Sequence, residues 1–351
     1  MTGQLVAAIL PLCAVMSMPT DVNAQGCVQS RGAGVGTLMQ GEDTYLAQGG
    51  WQASVGYRWL NSSRHFRGGE EQYERYQRGD DVRNDSHFVD LGITYGITKR
   101  ISVSFTLPFV SSTRSSVYEH ENDKNPDHRH TTSASGLADI RLTSTVWVFD
   151  PDTHHEGNLA FGLGIKAPTG DAETTGLRYR LDANGVPKPG IEYNDQSIQP
   201  GDGGWGVIIE TQGFQKIVAN TYAYMQASYL ISPQEMNEAT KFSTPDSYLL
   251  RAGLSYTIWP SKGLSLSLGA RMEGVPVTDW VGGSEGGRRP GYAISIEPGI
   301  TWVHGKWAIT VTAPVAIERN RERSVSDERT GKHGDAAFAD YIITSNISYR
   351  F

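Results

Sequence analysis

Cysteine is nearly missing from these 351 residues: there are two, Cys13 and Cys27. Cys13 falls in an apolar N-terminal run, which leaves Cys27 without an intrachain partner, so no disulfide framework organises the fold. Long apolar runs are equally scarce. Past the N-terminus no stretch reaches the roughly 18 residues that a membrane-crossing helix needs, which excludes a helical membrane protein. The same test says nothing of strands, because only alternate residues of a membrane strand touch lipid. There is no phosphate-cradling loop, no Cys-x-x-Cys and no Cys-x-x-Cys-His, so no cofactor is expected. Positive charge is not in excess either: the net charge is -7, and no nucleic-acid partner is expected of such a balance. Bulk composition alone would describe a soluble acidic chain.

The order of the residues describes something else. Residues 5–18 are apolar and are followed by Val22-Asn23-Ala24, with small side chains where signal peptidase cuts. Residues 1–24 therefore read as a signal peptide, 25–50 as a periplasmic N-terminal segment and 51–351 as the folded body. Ala24-Gln25-Gly26-Cys27 lacks the leucine of a lipobox, so Cys27 reads as an incidental thiol rather than a lipid anchor.

From Trp51 onward the chain alternates with a period of two. One parity reads Trp51, Ala53, Val55, Tyr57, Trp59, and further on Ile101, Val103, Phe105, Leu107, Phe109. Another reads Leu264, Leu266, Leu268, Ala270, Met272, and the last reads Tyr341, Ile343, Ser345, Ile347, Tyr349, Phe351. About twelve such segments follow one another, an even number of roughly ten-residue strands. Their apolar parity carries no Asp, Glu, Lys or Arg. A charge on a lipid-facing position near the midplane costs up to about 2–4 kcal/mol, and lipid is the solvent that enforces such purity.

Two further patterns agree. Short links at 98–100, 260–263 and 304–306 take turns with long ones at 61–86, 111–136 and 169–204, the rhythm of periplasmic turns and external loops. Aromatic residues gather at both strand ends: Trp51, Tyr95, Trp302, Trp307, Tyr349 and Phe351 at one, and Trp59, Phe109, Trp205, Tyr229, Tyr248 and Tyr292 at the other. Paired girdles of this kind are selected by a bilayer. The expected fold is thus all-β: a transmembrane antiparallel up-and-down β-barrel of about twelve strands in the outer membrane of a Gram-negative bacterium. An alternating last strand that closes on Tyr349 and Phe351 resembles the signal that the barrel-assembly machinery reads. Outer-membrane lipid and that machinery are the expected partners, together with a small-molecule solute.

The opposite parity supplies Arg58, Asp90, Asp139, Arg141, Lys166, Glu210, Arg251, Arg271, Glu273, Glu297, Asp340 and Arg350. A twelve-strand barrel is wider than the eight-strand kind that side chains fill and narrower than an open porin. These residues are therefore expected to line the lumen, either as the charged wall of a polar pathway or as an ion-paired filling. Water along the pathway would ease the burial of so many charges.

Three short motifs at strand–loop junctions, Gly136-Leu137-Ala138-Asp139, Lys166-Ala167-Pro168-Thr169-Gly170 and Gly201-Asp202-Gly203-Gly204-Trp205-Gly206, are similar to those of the outer-membrane channel family linked to phenol meta-cleavage operons. The resemblance implies a transporter-like barrel for passive uptake or export of small solutes, aromatic or apolar compounds among them. It assigns no binding residues. The alternatives are a structural or adhesive barrel with a blocked lumen and an outer-membrane lipid hydrolase.

No metal site is expected: Glu119-His120-Glu121 and His128-Arg129-His130 share one external loop, where they read as solvated, and His154-His155 reads as part of a polar turn. Ser86-His87 invites the hydrolase reading, but adjacent strand residues point to opposite faces and cannot act as nucleophile and base. The chain is not expected to be an enzyme.

Overall fold

The computed structural model describes residues 44–117, 125–182, 184 and 186–351. The expected signal peptide, Cys27 and Glu119-His120-Glu121 lie outside the described residues. The strands are β1 (Trp51–Arg67), β2 (Glu70–Glu71), β3 (Arg83–Gly96), β4 (Ile101–Val117), β5 (Arg129–Leu137) and β6 (Arg141–Trp147). They continue with β7 (Gly157–Lys166), β8 (Thr175–Leu181), β9 (Pro187–Tyr193), β10 (Gly206–Val218), β11 (Thr221–Ile231) and β12 (Ser247–Trp259). The last are β13 (Leu264–Val275), β14 (Gly291–His304), β15 (Trp307–Thr312), β16 (Val315–Asn320) and β17 (Ala336–Arg350). Two short helices, α1 (Tyr73–Arg78) and α2 (Val325–Thr330), lie in long connections.

β5 with β6, and β15 with β16, each make one interrupted stave, so the sheet has 12 staves, all antiparallel. It closes when β17 pairs with β1, Ile347 opposite Val55 and Ser345 opposite Tyr57. Closure joins the first and last staves, as a strand structure in lipid requires, while the β5 half of its stave pairs with β4 alone.

Burial is inverted relative to a water-soluble domain. On the outside Leu163 is 64% and Leu268 60% exposed, while inside Glu297 is 1% and Arg271 2% exposed. The girdles form as ring pairs: Trp51 with Tyr95 at 4.6 Å and Trp307 with Tyr349 at 4.7 Å at one end, Tyr229 with Trp280 at 4.8 Å and Trp59 with Tyr341 at 5.8 Å at the other.

Both interrupted staves have the same cause. Between Thr106↔Arg141 and Phe109↔Leu137 the β4 ladder skips residues 138–140, and the skipped rung faces Pro108. Between Gly299↔Thr312 and Ile296↔Val315 the β14 ladder skips 313–314, opposite Pro298. A proline has no N–H to donate, so the neighbouring strand is released and bends away. Each proline keeps only its carbonyl bond, from Ala138 N at 2.8 Å and from Ala313 N at 3.0 Å.

The strands also run further outward than alternation suggests. β1 extends to Arg67, β4 to Val117, and β5 begins at Arg129, so much of what reads as the loops 61–86 and 111–136 is strand. Above the apolar band both faces are polar, and the period-two signal disappears although the ladder continues. The link 169–204 holds its own hairpin, β8–β9, which stands out with Ile191 71% exposed. Protease added to intact cells is expected to cut within 169–204 and to spare 260–263. Cutting that requires an opened outer membrane would reverse the orientation.

Candidate functional site

Arg251 and Arg271 are directly opposite in the β12–β13 register. Like charges at paired positions repel, and two carboxylates from neighbouring inward positions separate them. Arg251 Nε donates to Glu297 Oε1 at 2.9 Å, Arg271 Nη2 donates to Glu273 Oε2 at 2.9 Å, and Arg271 Nη1 lies 3.6 Å from Glu297 Oε2. Arg251 Nη1 also donates to Gln226 at 3.2 Å. None of the four charged residues is more than 3% exposed. On this side the lumen is filled by one paired network.

The facing wall is open. A cavity of about 270 Å³ on the half with the short turns is lined by hydroxyls and amides, among them Ser54, Ser102, Ser104, Thr143, Thr145 and Gln212, together with Glu210. A second cavity of about 100 Å³ on the half with the long loops has Phe88, Val110, Leu230, Pro245 and Val275 in its lining, beside Asp139, Lys166, Asp202 and Arg289. Asp90 and Arg141 line both cavities. Arg141 Nη2 lies 3.5 Å from Asp90 Oδ2, so the two spaces share this ion pair. Beside it, the buried Arg58 guanidinium sits 4.3 Å over the Phe88 ring, a contact worth about 2 kcal/mol when desolvated.

The three glycine-based motifs converge at the Pro108 break. Asp139 occupies the gap between β5 and β6 and accepts from Gly170 N at 3.0 Å and Asp202 N at 3.4 Å. Lys166 Nζ, at the end of β7, donates to Asp139 at 3.2 Å and to Asp202 at 2.5 Å. A Cβ on Gly170 would fall 2.8 Å from Gly201 Cα, and one on Gly201 would fall 2.4 Å from the Gly170 carbonyl oxygen. Only glycine lets these backbones touch. Asp202 belongs to this cluster and is missing from the lumen residues that the strand parity yields, because it lies in a loop.

Asp340 and Arg350 lie toward opposite ends of the last strand. Asp340 sits at a bulge between β1 and β17, half exposed, and accepts from Arg64 at 2.8 Å and Arg319 at 2.7 Å. Arg350 lines the larger cavity, where its Nε donates to Gln52 at 3.0 Å. Of the N-terminal segment, residues 44–46 enter the lumen: Thr44 and Leu46 line the larger cavity. Tyr45 reaches the far wall, packs edge-on to Trp147 at 5.1 Å, and donates to the His154 carbonyl oxygen at 2.6 Å. Asn158 Nδ2 donates to the Tyr45 hydroxyl at 3.0 Å.

At the end with the long loops, the loops are tied by ion pairs. Arg289 grips Asp195 at 2.8 and 2.5 Å. Burial alone would push the Asp195 carboxyl up, but the Arg114 and Arg289 guanidiniums outweigh it and hold the group below the usual carboxylate range. Arg288 pairs with Asp279, whose Oδ1 accepts from Asp246 N at 2.8 Å. Of the loop histidines, His128 lies against Asn125 and His130 packs edge-on to Tyr179 at 5.5 Å; burial pushes the His130 imidazole down. His154 stacks on Phe149. Ser86 faces inward, 2.9 Å from Ser112 Oγ, while His87 faces outward between Asp85 and Tyr57.

Solved structures similar to this chain include an outer membrane channel from Pseudomonas putida F1, at 13% identity over 87% of this chain and 97% of that one, with a TM-score of 0.56. They also include the P. putida toluene transporter TodX, at 10% identity over 94% and 99% of the two chains with a TM-score of 0.43. A Pseudomonas aeruginosa FadL homologue aligns at 8% identity over 93% and 98%, with a TM-score of 0.42. No family model and no curated protein matches. The likeness to the P. putida F1 protein is one of fold, the outer-membrane β-barrel.

Proposed function

We propose that this barrel sits in the bacterial outer membrane as a non-enzymatic channel that passes small solutes passively. One observation carries the reading: two cavities, one hydroxyl-lined and one of mixed apolar and charged lining, share the Asp90–Arg141 pair. The apolar part of the outer cavity's lining suits small organic solutes, aromatic ones included, and the polar periplasmic half suits water. Selection at such a junction comes from pore width and from the fields of the two charges. The candidate lumen residues then divide into a filled side, with Arg251, Arg271, Glu273 and Glu297, and a lane along Asp90, Arg141 and Glu210. Lys166 and Asp139 hold the loop that covers the lane. Tyr349 and Phe351 are proposed as the signal for the assembly machinery.

A barrel with a blocked lumen is the rival, favoured by the buried four-residue network and by the loops tied over the mouth. Single-channel recording in a planar bilayer separates the two. The wild-type chain is expected to give discrete conductance steps, and Arg141→Ala is expected to raise conductance and shift selectivity toward cations, since the lane then loses a positive charge beside Asp90 and Glu210. Folded barrels that never conduct, wild-type and variant alike, would establish the blocked lumen.

A further inference from the structure

One side of the barrel is taller than the other. β4 continues outward from Phe109 to Val117 and β1 from Trp59 to Arg67, whereas β11 ends soon after Tyr229 and β14 begins next to Tyr292. On the tall side the inward residues Ser86, Ser112 and Thr132 are buried, while outward Ser111, Thr113, Thr131, Ser133 and Ser135 are exposed. At its foot, just above the lipid-facing Val89 and Phe109, a polar group is fixed on the outer surface. His87 lies 2.9 Å from Asp85 and 2.8 Å from the Tyr57 hydroxyl, and Trp59 Nε1 and Asn61 Nδ2 donate to Asp85 at 3.1 and 3.3 Å. The His87 and Asp85 side chains remain 47% and 38% exposed.

From these features we infer that the outward face of β1, β3, β4 and β5 is a docking wall for the sugar-bearing, phosphorylated headgroup of outer-leaflet lipopolysaccharide. The wall is continuous with the lipid-facing band below it, so whatever covers it belongs to the lipid that covers that band. Height identifies the lipid. The stretch from Phe109 to Val117 spans roughly 25 Å of strand at about 3.3 Å per residue, close to 20 Å of height at a barrel tilt of about 40°. A phospholipid headgroup layer is only about 5–8 Å deep and would reach the His87 level alone. A layer of sugars reaches the rest. Rows of hydroxyls suit sugar hydroxyls, the Trp59 ring offers a flat face for a pyranose, and Arg83, exposed but with Nε and Nη2 on Asp81, keeps Nη1 for a phosphate.

The inference rests on the proposed outer-membrane location and orientation. Its test uses the full chain with Cys27→Ser and Ser133→Cys, labelled with a polarity-sensitive fluorophore, in phosphatidylcholine nanodiscs titrated with purified rough-type lipopolysaccharide. A saturable shift is expected, and native mass spectrometry should find the glycolipid retained. His87→Ala with Thr113→Ala should weaken the response about tenfold, the equivalent of one or two hydrogen bonds. Asn61→Ala alone should weaken it less, and Glu238→Ala, on an exposed loop elsewhere, should leave it unchanged. Heat-modifiable migration confirms that each variant is folded. No shift, an equal shift with phosphatidylglycerol, or undiminished binding by both wall variants would overturn the inference. Protease protection of 169–204 in intact cells would overturn the orientation instead, and loss of conductance alone would touch only the channel reading.

Discussion

Glu297→Ala is expected to destabilise the folded barrel by about 3–5 kcal/mol, because it removes one partner from a buried ion-paired group. Glu297 is shared: Arg251 donates to it and Arg271 Nη1 lies 3.6 Å away. Without it, two arginines placed opposite each other in the register face one another with only Glu273 between them. Neither can shed its proton, since a guanidinium stays charged in proteins, so the repulsion must be met by water or by unfolding. Asp90→Ala is the contrasting case. Asp90 lines both cavities and its side chain is 21% exposed, so water can take the place of its carboxylate beside Arg141, and the expected cost is clearly smaller than that of Glu297→Ala. The measurement is the temperature at which the heat-modifiable band converts for each variant, alongside urea unfolding in micelles. Equal, small losses for both would mean that water reaches the Arg251–Glu297 side too, and that the lumen is wet throughout.

That contrast could not be read from the sequence. Strand parity places Arg58, Asp90, Arg141, Glu210, Arg251, Arg271, Glu273 and Glu297 on the inward face but cannot tell which of them meet. Meeting depends on shear and on the kinks opposite Pro108 and Pro298, which displace whole stave halves. The outward face was legible because lipid tolerates no charge on it, and a rule that strict leaves a mark at every second residue. Where the strands leave lipid the rule lapses, which is why the upper parts of β1 and β4 read as loop. The motifs around Asp139, Lys166 and Asp202 were visible as short glycine-rich strings; that Gly170 and Gly201 touch backbone to backbone is a property of the folded chain. Tyr45 carried no pattern, being a single aromatic in an irregular segment, and its role at the end with the short turns follows only from Trp147 and Asn158 across the lumen.

The seam between first and last strands is where the membrane reading meets its most demanding test. Ile347 is 42% exposed, opposite Val55 of β1 on one side and Ile309 of β15 on the other. Val55 lies midway between Trp51 and Trp59, one residue of each girdle, so Ile347 sits near the centre of the apolar band. An arginine there is expected to cost about 2–4 kcal/mol on the lipid face, and it strikes the ladder that closes the barrel. Ile347→Arg should therefore be missing from the outer-membrane fraction as a folded, heat-modifiable band. Its neighbour gives the control. Asn346 points the other way and lines the larger cavity, so Asn346→Arg places the same charge one residue away in a watery space and should assemble normally. Removing Phe351, whose N–H donates to the Trp51 carbonyl at 2.9 Å and whose ring packs on Tyr349 at 5.2 Å, should slow assembly without barring it. If Ile347→Arg folds and Asn346→Arg does not, the two faces of the last strand have been exchanged, and the apolar parity meets something other than lipid.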